Sequence, residues 1–341
     1  MYLHEDEDEF INVILEVSEA SGYRADVLEK DYYVTLFLKE LSKMQNENGL
    51  RAFFKGGTAL YKGMKRPKRF SEDIDLTLDI SGLNNSQIKR TLKMASQGYV
   101  SLPRLKAHKK EKNFRSEALM VYGYSPRVNY EADDRLERFG EIQIEATTFT
   151  ISEPTETLEV ESLIYDNAPE NIKNTLEEFH MCRFEVMAIS LERMFIDKLF
   201  AAEAYVKRSH HEDRTMEASK HIYDLIVLAD HGRIKRLFQD EELMEQLLQI
   251  QMKEEIGRIH GASGIAPRNF KFFEEIIDNK KMEKGFQTMQ DIYVFKDEDK
   301  ISFHEAVEKI SCLKKDLNGN KAWGKARPPV NNGPSDGHGH R

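Results

Sequence analysis

The stretch from Phe53 to Asp79, FFKGGTALYKGMKRPKRFSEDIDLTLD, constrains this chain more than any other. The apolar run LRAFF (50–54) predicts a strand. Lys55-Gly56-Gly57-Thr58 predicts a turn into a short helix, ALYKGM. A basic loop follows, and then DIDLTLDI (73–80) alternates polar and apolar residues, the period of a strand. Asp73 and Asp75 therefore project from one face, while Ile74 and Leu76 enter the core. Two neighbouring carboxylates repel unless a cation lies between them, and an oxygen-only donor pair suits Mg²⁺. Glycines at a strand-to-helix junction let backbone N–H groups approach an anion, and the helix N-terminus favours negative charge there. Thr58 adds a hydroxyl donor. A phosphate cradle beside a metal-binding acid pair points to phosphoryl or nucleotidyl transfer from a nucleoside triphosphate.

The flanking sequence sets the frame around this unit. Residues 9–21 carry helical spacing (Phe10, Val13, Ile14, Val17), and a second, largely apolar helix runs from about Asp26 to Met44. Residues 84–96 predict a helix, and EALMVYGY, RVNYEA and GEIQIEATTFTI predict strands. After about residue 165 the periodicity is helical. The expectation is an α+β fold: a mixed sheet flanked by helices in 1–165, an all-helical domain in 166–320, and a disordered Pro/Gly/Asn-rich tail in 321–341.

Composition narrows the function classes. Two cysteines among 341 residues exclude a disulfide framework. The acidic start, HEDEDEF, is the opposite of a secretory leader, and no run approaches the length of a membrane span, so a cytoplasmic protein without membrane association is expected. The net charge of −9 argues against a generally basic nucleic-acid coat. Two local runs, Lys62–Arg69 and RLKAHKKEKNFR (104–115), nevertheless supply positive charge suited to RNA phosphates or to a solvated surface. On the predicted helix SLERMFIDKLFAAEA, Lys198 falls within the apolar stripe of Leu191, Met194, Phe195 and Ala202. A lysine there either snorkels outward or meets a buried anion. Asp224 in KHIYDL either orients Lys198 or is a helix-edge charge. His210-His211-Glu212-Asp213 reads as a loop rather than a metal site.

The glycine pair and Asp-Ile-Asp pattern resembles the polymerase-β-like nucleotidyltransferase superfamily. The longer string KGGTALYKGMKRPKRFSEDIDL resembles the AbiEii/AbiGii toxins of abortive-infection systems through Lys55, Gly56, Gly57, Thr58, Leu60, Arg69, Ser71, Asp73, Ile74 and Asp75. Glu29-Lys30-Asp31-Tyr32, LERMFIDKLFA and KHIYDL extend the resemblance over about residues 25–230. It implies a two-Mg²⁺ site at Asp73, Asp75 and a third carboxylate on a neighbouring strand. Glu145 is the candidate and Glu141 the fallback, since both share one face of GEIQIEATTF. It further implies an NTP held by residues 55–58, Arg69, Ser71, Lys198 and Asp224, with Arg69 either touching phosphate or bracing the Asp pair. It implies a toxin of an antiviral toxin–antitoxin pair, with a tRNA acceptor and a separately encoded antitoxin. The alternatives are a small-molecule nucleotidyltransferase of the antibiotic-modifying type and a non-catalytic nucleotide-binding module. A haloacid-dehalogenase-like phosphatase also fits Asp73-Ile-Asp75-Leu-Thr77, but that reading needs a hydrophobic strand immediately before Asp73.

Overall fold

The computed structural model describes residues 2–65, 68–128, 139–209, 213–255 and 265–327. It divides into two compact units: residues up to Met194 together with Gln287–Ile301, and Phe195–Phe286 together with the chain from Ser302.

The first unit is built on seven strands: β1 (Ala52–Lys55), β2 (Ile74–Leu78), β3 (Lys112–Asn113), β4 (Glu117–Gly123), β5 (Glu141–Thr147), β6 (Thr155–Val160) and β7 (Phe184–Ile189). They form one mixed sheet in the order β3-β4-β5-β2-β1-β7-β6. β2 runs antiparallel to β1 and parallel to β5. Its helices are α1 (Glu7–Ser21), α2 (Ala25–Asn48), α3 (Gly56–Met64), α4 (Asn85–Gln97), α5 (Leu163–Asn167) and α6 (Glu170–Glu178).

Alternation along the strands separates two faces. Phe54, Leu76, Ile144, Ala146, Met120 and Ala118 lie on one face and are buried. Tyr122, on that face, ties two helices to it. Its ring meets Phe37 of α2 edge-on at 4.9 Å, and its hydroxyl donates to the Ser96 carbonyl of α4 at 2.9 Å. Lys55, Asp75, Glu145 and Leu119 occupy the opposite face and remain half-buried.

Helix α2 carries charges where an apolar stripe is expected. Glu29, Lys30 and Asp31 are all buried. Asp31 pairs with Lys62 of α3 and accepts from the Leu163 N–H at 2.6 Å. Lys30 donates to the Glu141 carbonyl, and Glu29 accepts from the Arg127 N–H at 2.9 Å. The Glu-Lys-Asp-Tyr motif thus fastens α2 to α3, β5 and α5, because buried charges persist only with partners.

The sequence expectations need three corrections. β7 continues the sheet past residue 165, so a strand lies within the stretch expected to be helical. The alternation of Val186 and Ala188 inward with Glu185 and Met187 outward is the strand signal that the surrounding helical pattern obscured. Order also extends beyond 321: a short helix over Lys321–Lys325 includes Trp323, 1% exposed, whose large apolar surface offsets the local Gly-rich composition. Of RVNYEA, Arg127 and Val128 lie outside any strand, and the rest lies outside the described residues.

The second unit is helical. Helix α7 (Leu191–Arg208), which starts in the first unit, continues into it. Then come α8 (Thr215–Leu228), α9 (Gly232–Leu237), α10 (Glu241–Glu255), α11 (Phe272–Glu275), α12 (Lys280–Tyr293), which from Gln287 belongs to the first unit, α13 (Phe303–Gly319) and α14 (Lys321–Lys325). Trp323 meets Phe270 edge-on at 5.7 Å, and Asn320 caps α14 through the Ala322 N–H at 2.9 Å. Among the described residues no helix is long and apolar enough to cross a membrane.

Candidate active site

The glycine segment forms the first turn of a helix rather than a separate turn: β1 ends at Lys55 and α3 begins at Gly56. Gly56 makes this possible with φ +81°, a conformation that disfavours side chains. A Cβ there would overlap the Asp75 carboxylate, standing 3.0 Å from its Cγ. A Cβ on Gly57 would stand 2.7 Å from Ser71 Oγ and 2.8 Å from Arg69 Nη2. The two glycines therefore make room for Asp75 on one side and for the Arg69–Ser71 loop on the other.

Arg69 is buried, and its backbone forms an antiparallel bridge with Val294. The Phe70 N–H donates to the Tyr293 carbonyl at 2.6 Å, so residues 293–294 hold the loop that leads into β2. Thr58 is fully buried. Its hydroxyl donates to the Asp73 carbonyl at 2.5 Å and lies 3.0 Å from Ser71 Oγ. The hydroxyl thus braces the Asp73 backbone.

Three strands bring the charged residues into one row. Lys55 on β1 pairs in register with Asp75 on β2, and Asp75 pairs in register with Glu145 on β5. Paired residues share a face, so Lys55, Asp75 and Glu145 are lateral neighbours. Asp73 lies just before β2 and is exposed, whereas Asp75 and Glu145 are half-buried. Burial raises the Glu145 pKa, Lys55 opposes the rise, and the nearby Glu117 and Asp73 charges add to it. Glu141 lies four residues earlier on β5, 2.9 Å from His108 Nε2 and 3.1 Å from Lys110 Nζ. It is engaged away from the Asp75 row.

Among the described residues, no group of three His, Cys, Asp or Glu side chains forms a ready-made metal cage. The donor set still fits Mg²⁺, which usually takes one or two carboxylates with phosphate and water oxygens. Asp75 and Glu145 are oxygen donors side by side, with Asp73 adjoining, and a dication would offset their accumulated charge. Asp73 precedes a strand rather than ending one, which removes the dehalogenase-like reading.

In the second unit Lys198 meets a buried anion, Asp224, at 2.8 Å. The snorkelling alternative is thereby set aside, and Asp224 holds Lys198 in place.

Among the described residues of the basic run, Lys62 and Arg69 are buried, while Lys65 and Lys68 are exposed. Lys62 is buried against Asp31, Lys65 pairs with Glu161 and Asp166, and Arg69 lies over Gly57; Lys68 is exposed. His210–Glu212 and residues 328–341 lie outside the described residues.

A family model described as the nucleotidyl transferase AbiEii toxin of a type IV toxin–antitoxin system matches residues 37–309. The chain belongs to the AbiEii family. It is accordingly a nucleotidyltransferase of toxin–antitoxin type. The fold is similar to that of JHP933 from Helicobacter pylori, at 15% identity over 84% of this chain and 92% of that one, with a TM-score of 0.41. A second H. pylori structure, of a proposed nucleotidyltransferase, matches at 16% identity over 83% and 94%, also with a TM-score of 0.41. No curated protein matches the chain. AbiEii membership accounts for the Gly-Gly and Asp-Ile-Asp elements together, which the phosphatase reading does not.

Proposed function

We propose that this AbiEii-family protein transfers a nucleoside monophosphate from an NTP to a hydroxyl acceptor and releases pyrophosphate. The observation that carries the reading is the in-register row of Lys55, Asp75 and Glu145, with Asp75 packed on Gly56 at the start of α3. Asp73, Asp75 and Glu145 are the residues that would hold Mg²⁺. When bound, two such ions lower the pKa of an attacking hydroxyl and offset charge on the leaving pyrophosphate.

The chain's own groups supply the rest. The N–H groups at the start of α3 face negative charge and suit the triphosphate. Lys55, half-exposed beside Asp75, suits a phosphate oxygen near the reacting centre. Arg69 and Ser71, packed over Gly57, fix the loop that carries Asp73, and Thr58 fixes that residue's carbonyl. These contacts set the acids before substrate arrives, so orientation is not purchased during the reaction. Lys198, held by Asp224, is a further cation that family resemblance assigns to NTP use; unaltered NTP KM in Lys198→Gln would remove it.

The proposed acceptor is tRNA, and the proposed partner is a separately encoded antitoxin; both rest on family resemblance. The test is incubation of the full chain with each α-³²P-labelled NTP, Mg²⁺ and total RNA. Label on RNA in the tRNA size range supports the reading. Label only on a small molecule would support the antibiotic-type alternative, and absence of transfer with every NTP would reject an active enzyme.

A further inference from the structure

A cavity of about 1070 Å³ lies between α4 and the tip of the β3–β4 hairpin. It opens on the sheet face opposite Asp75 and Glu145: Asn113 and Ala118, which line it, pair in register with each other, and Ala118 with Ala146, the residue after Glu145. Ile88 and Leu92 give it an apolar floor. Its rim is cationic. Lys89 and Lys93 are exposed one helical turn apart on α4, and Arg115 is exposed on the hairpin tip. Arg104 also lines it, but its charge is spent on Glu111. No acidic side chain lines it among the described residues, in a chain of net charge −9.

Phe114 stands at the same tip, 62% exposed. A large aromatic left this open on a rigid loop needs a reason. The loop is well held: the Phe114 N–H donates to the Glu117 carbonyl at 2.8 Å, the Thr148 N–H to the Ser116 carbonyl at 2.9 Å, and Arg115 Nη2 to Asn85 Oδ1 at 2.9 Å. Exposed cations beside an exposed aromatic side chain on a hydrogen-bonded loop match a chain of phosphates and stackable bases. Two lysines one turn apart suit successive phosphates better than a single mononucleotide.

We propose that this groove is an exosite for a single-stranded polynucleotide, with phosphates on Lys89, Lys93 and Arg115 and a base stacked on Phe114. β3 is the sheet edge, and β5 lies two strands inward, so Glu145 is about 10 Å from that edge at the usual strand spacing. A strand bound in the groove and turned over the edge reaches the acid-bearing face within a few nucleotides. Only the purpose of the bound strand, to present its end as acceptor, rests on the nucleotidyltransferase reading.

The test is fluorescence anisotropy of a fluorescein-labelled twelve-nucleotide oligouridylate titrated with the full chain, without Mg²⁺ or NTP. Three phosphate contacts predict affinity falling about twentyfold between 50 and 200 mM salt. Lys89→Glu/Lys93→Glu weakens binding at least tenfold, and Phe114→Ala about tenfold. Lys43→Glu/Lys235→Glu, the same charge change elsewhere, does not. Circular dichroism melting confirms that each variant is folded; Lys89→Gln/Lys93→Gln and Phe114→Leu replace any that is not. Wild-type affinity in either groove variant, equal weakening in the control, or displacement of the oligonucleotide by equimolar ATP overturns the exosite. Because no turnover is measured, failure here leaves the transfer reading standing. A protein that binds the strand but transfers no label leaves the exosite standing.

Discussion

The Asp75 carboxylate rests directly on Gly56, in the space that any side chain at that position would occupy. One residue supplies an acid and the other supplies the absence of a Cβ. The packing explains why a helix can begin immediately after β1 while an acidic strand passes beside it.

Gly56→Ala is therefore expected to abolish transfer. The methyl group displaces Asp75, and φ +81° adds about 1–2 kcal/mol of backbone cost. Initial rates should fall at least a hundredfold with a modest loss of thermal stability. Near-normal activity would show that the Asp75 position is not critical.

Thr58→Val tests the brace on Asp73. The substitution keeps the shape but removes the donor to the Asp73 carbonyl, leaving a part-buried acceptor unmatched. A stability loss of about 1–3 kcal/mol is expected by urea denaturation. Thr58→Ser should recover most of it. Equal stability of Thr58→Val and wild type would contradict the brace.

The Lys62–Asp31 pair is expected to be structural. Both residues are buried, and Asp31→Ala leaves the Lys62 ammonium without its carboxylate. Breaking such a pair costs about 3–5 kcal/mol. Asp31→Leu/Lys62→Met, which removes both charges, should lose less than the single substitution. The reverse order in urea denaturation would contradict this account.

Glu29 makes stability depend on pH. Burial raises its pKa to about 7, against the partly compensating N–H groups of Arg127 and Val128. The folded protein thus holds a proton that the unfolded chain releases at lower pH. This contribution is complete below about pH 4.5 and is lost as pH rises to about 7. The loss is about 3 kcal/mol at most. In chemical denaturation at pH 5 and pH 8, Glu29→Gln should reduce the difference between the two; an unchanged difference would remove Glu29 as its source.

How far these features could be read in advance differs from residue to residue. Ile74 and Asp75 declare opposite faces through strand alternation, a local property, while Asp73 lies just before β2. Glu141 and Glu145 cannot be separated that way, because they share a parity; only the parallel register of β2 with β5 sets Glu145 against Asp75. The lysines of the 62–69 loop look alike in sequence, yet their acids lie far along the chain, at Asp31, Glu161 and Asp166. β7 joins the sheet by a parallel contact between Phe54 and Ala188, and a pairing that distant leaves no mark on its neighbours. Helical periodicity on both sides then outweighed a six-residue alternation. Trp323 shows the opposite error, where local composition suggested disorder and one aromatic ring reversed it.

The most direct measurement compares label transfer from α-³²P-NTP in wild type, Asp75→Asn, Glu145→Gln and Glu141→Gln, with melting curves confirming that all four are folded. The account predicts transfer by wild type and Glu141→Gln, and at least a thousandfold loss in Asp75→Asn and Glu145→Gln. Substantial transfer by folded Asp75→Asn would contradict it.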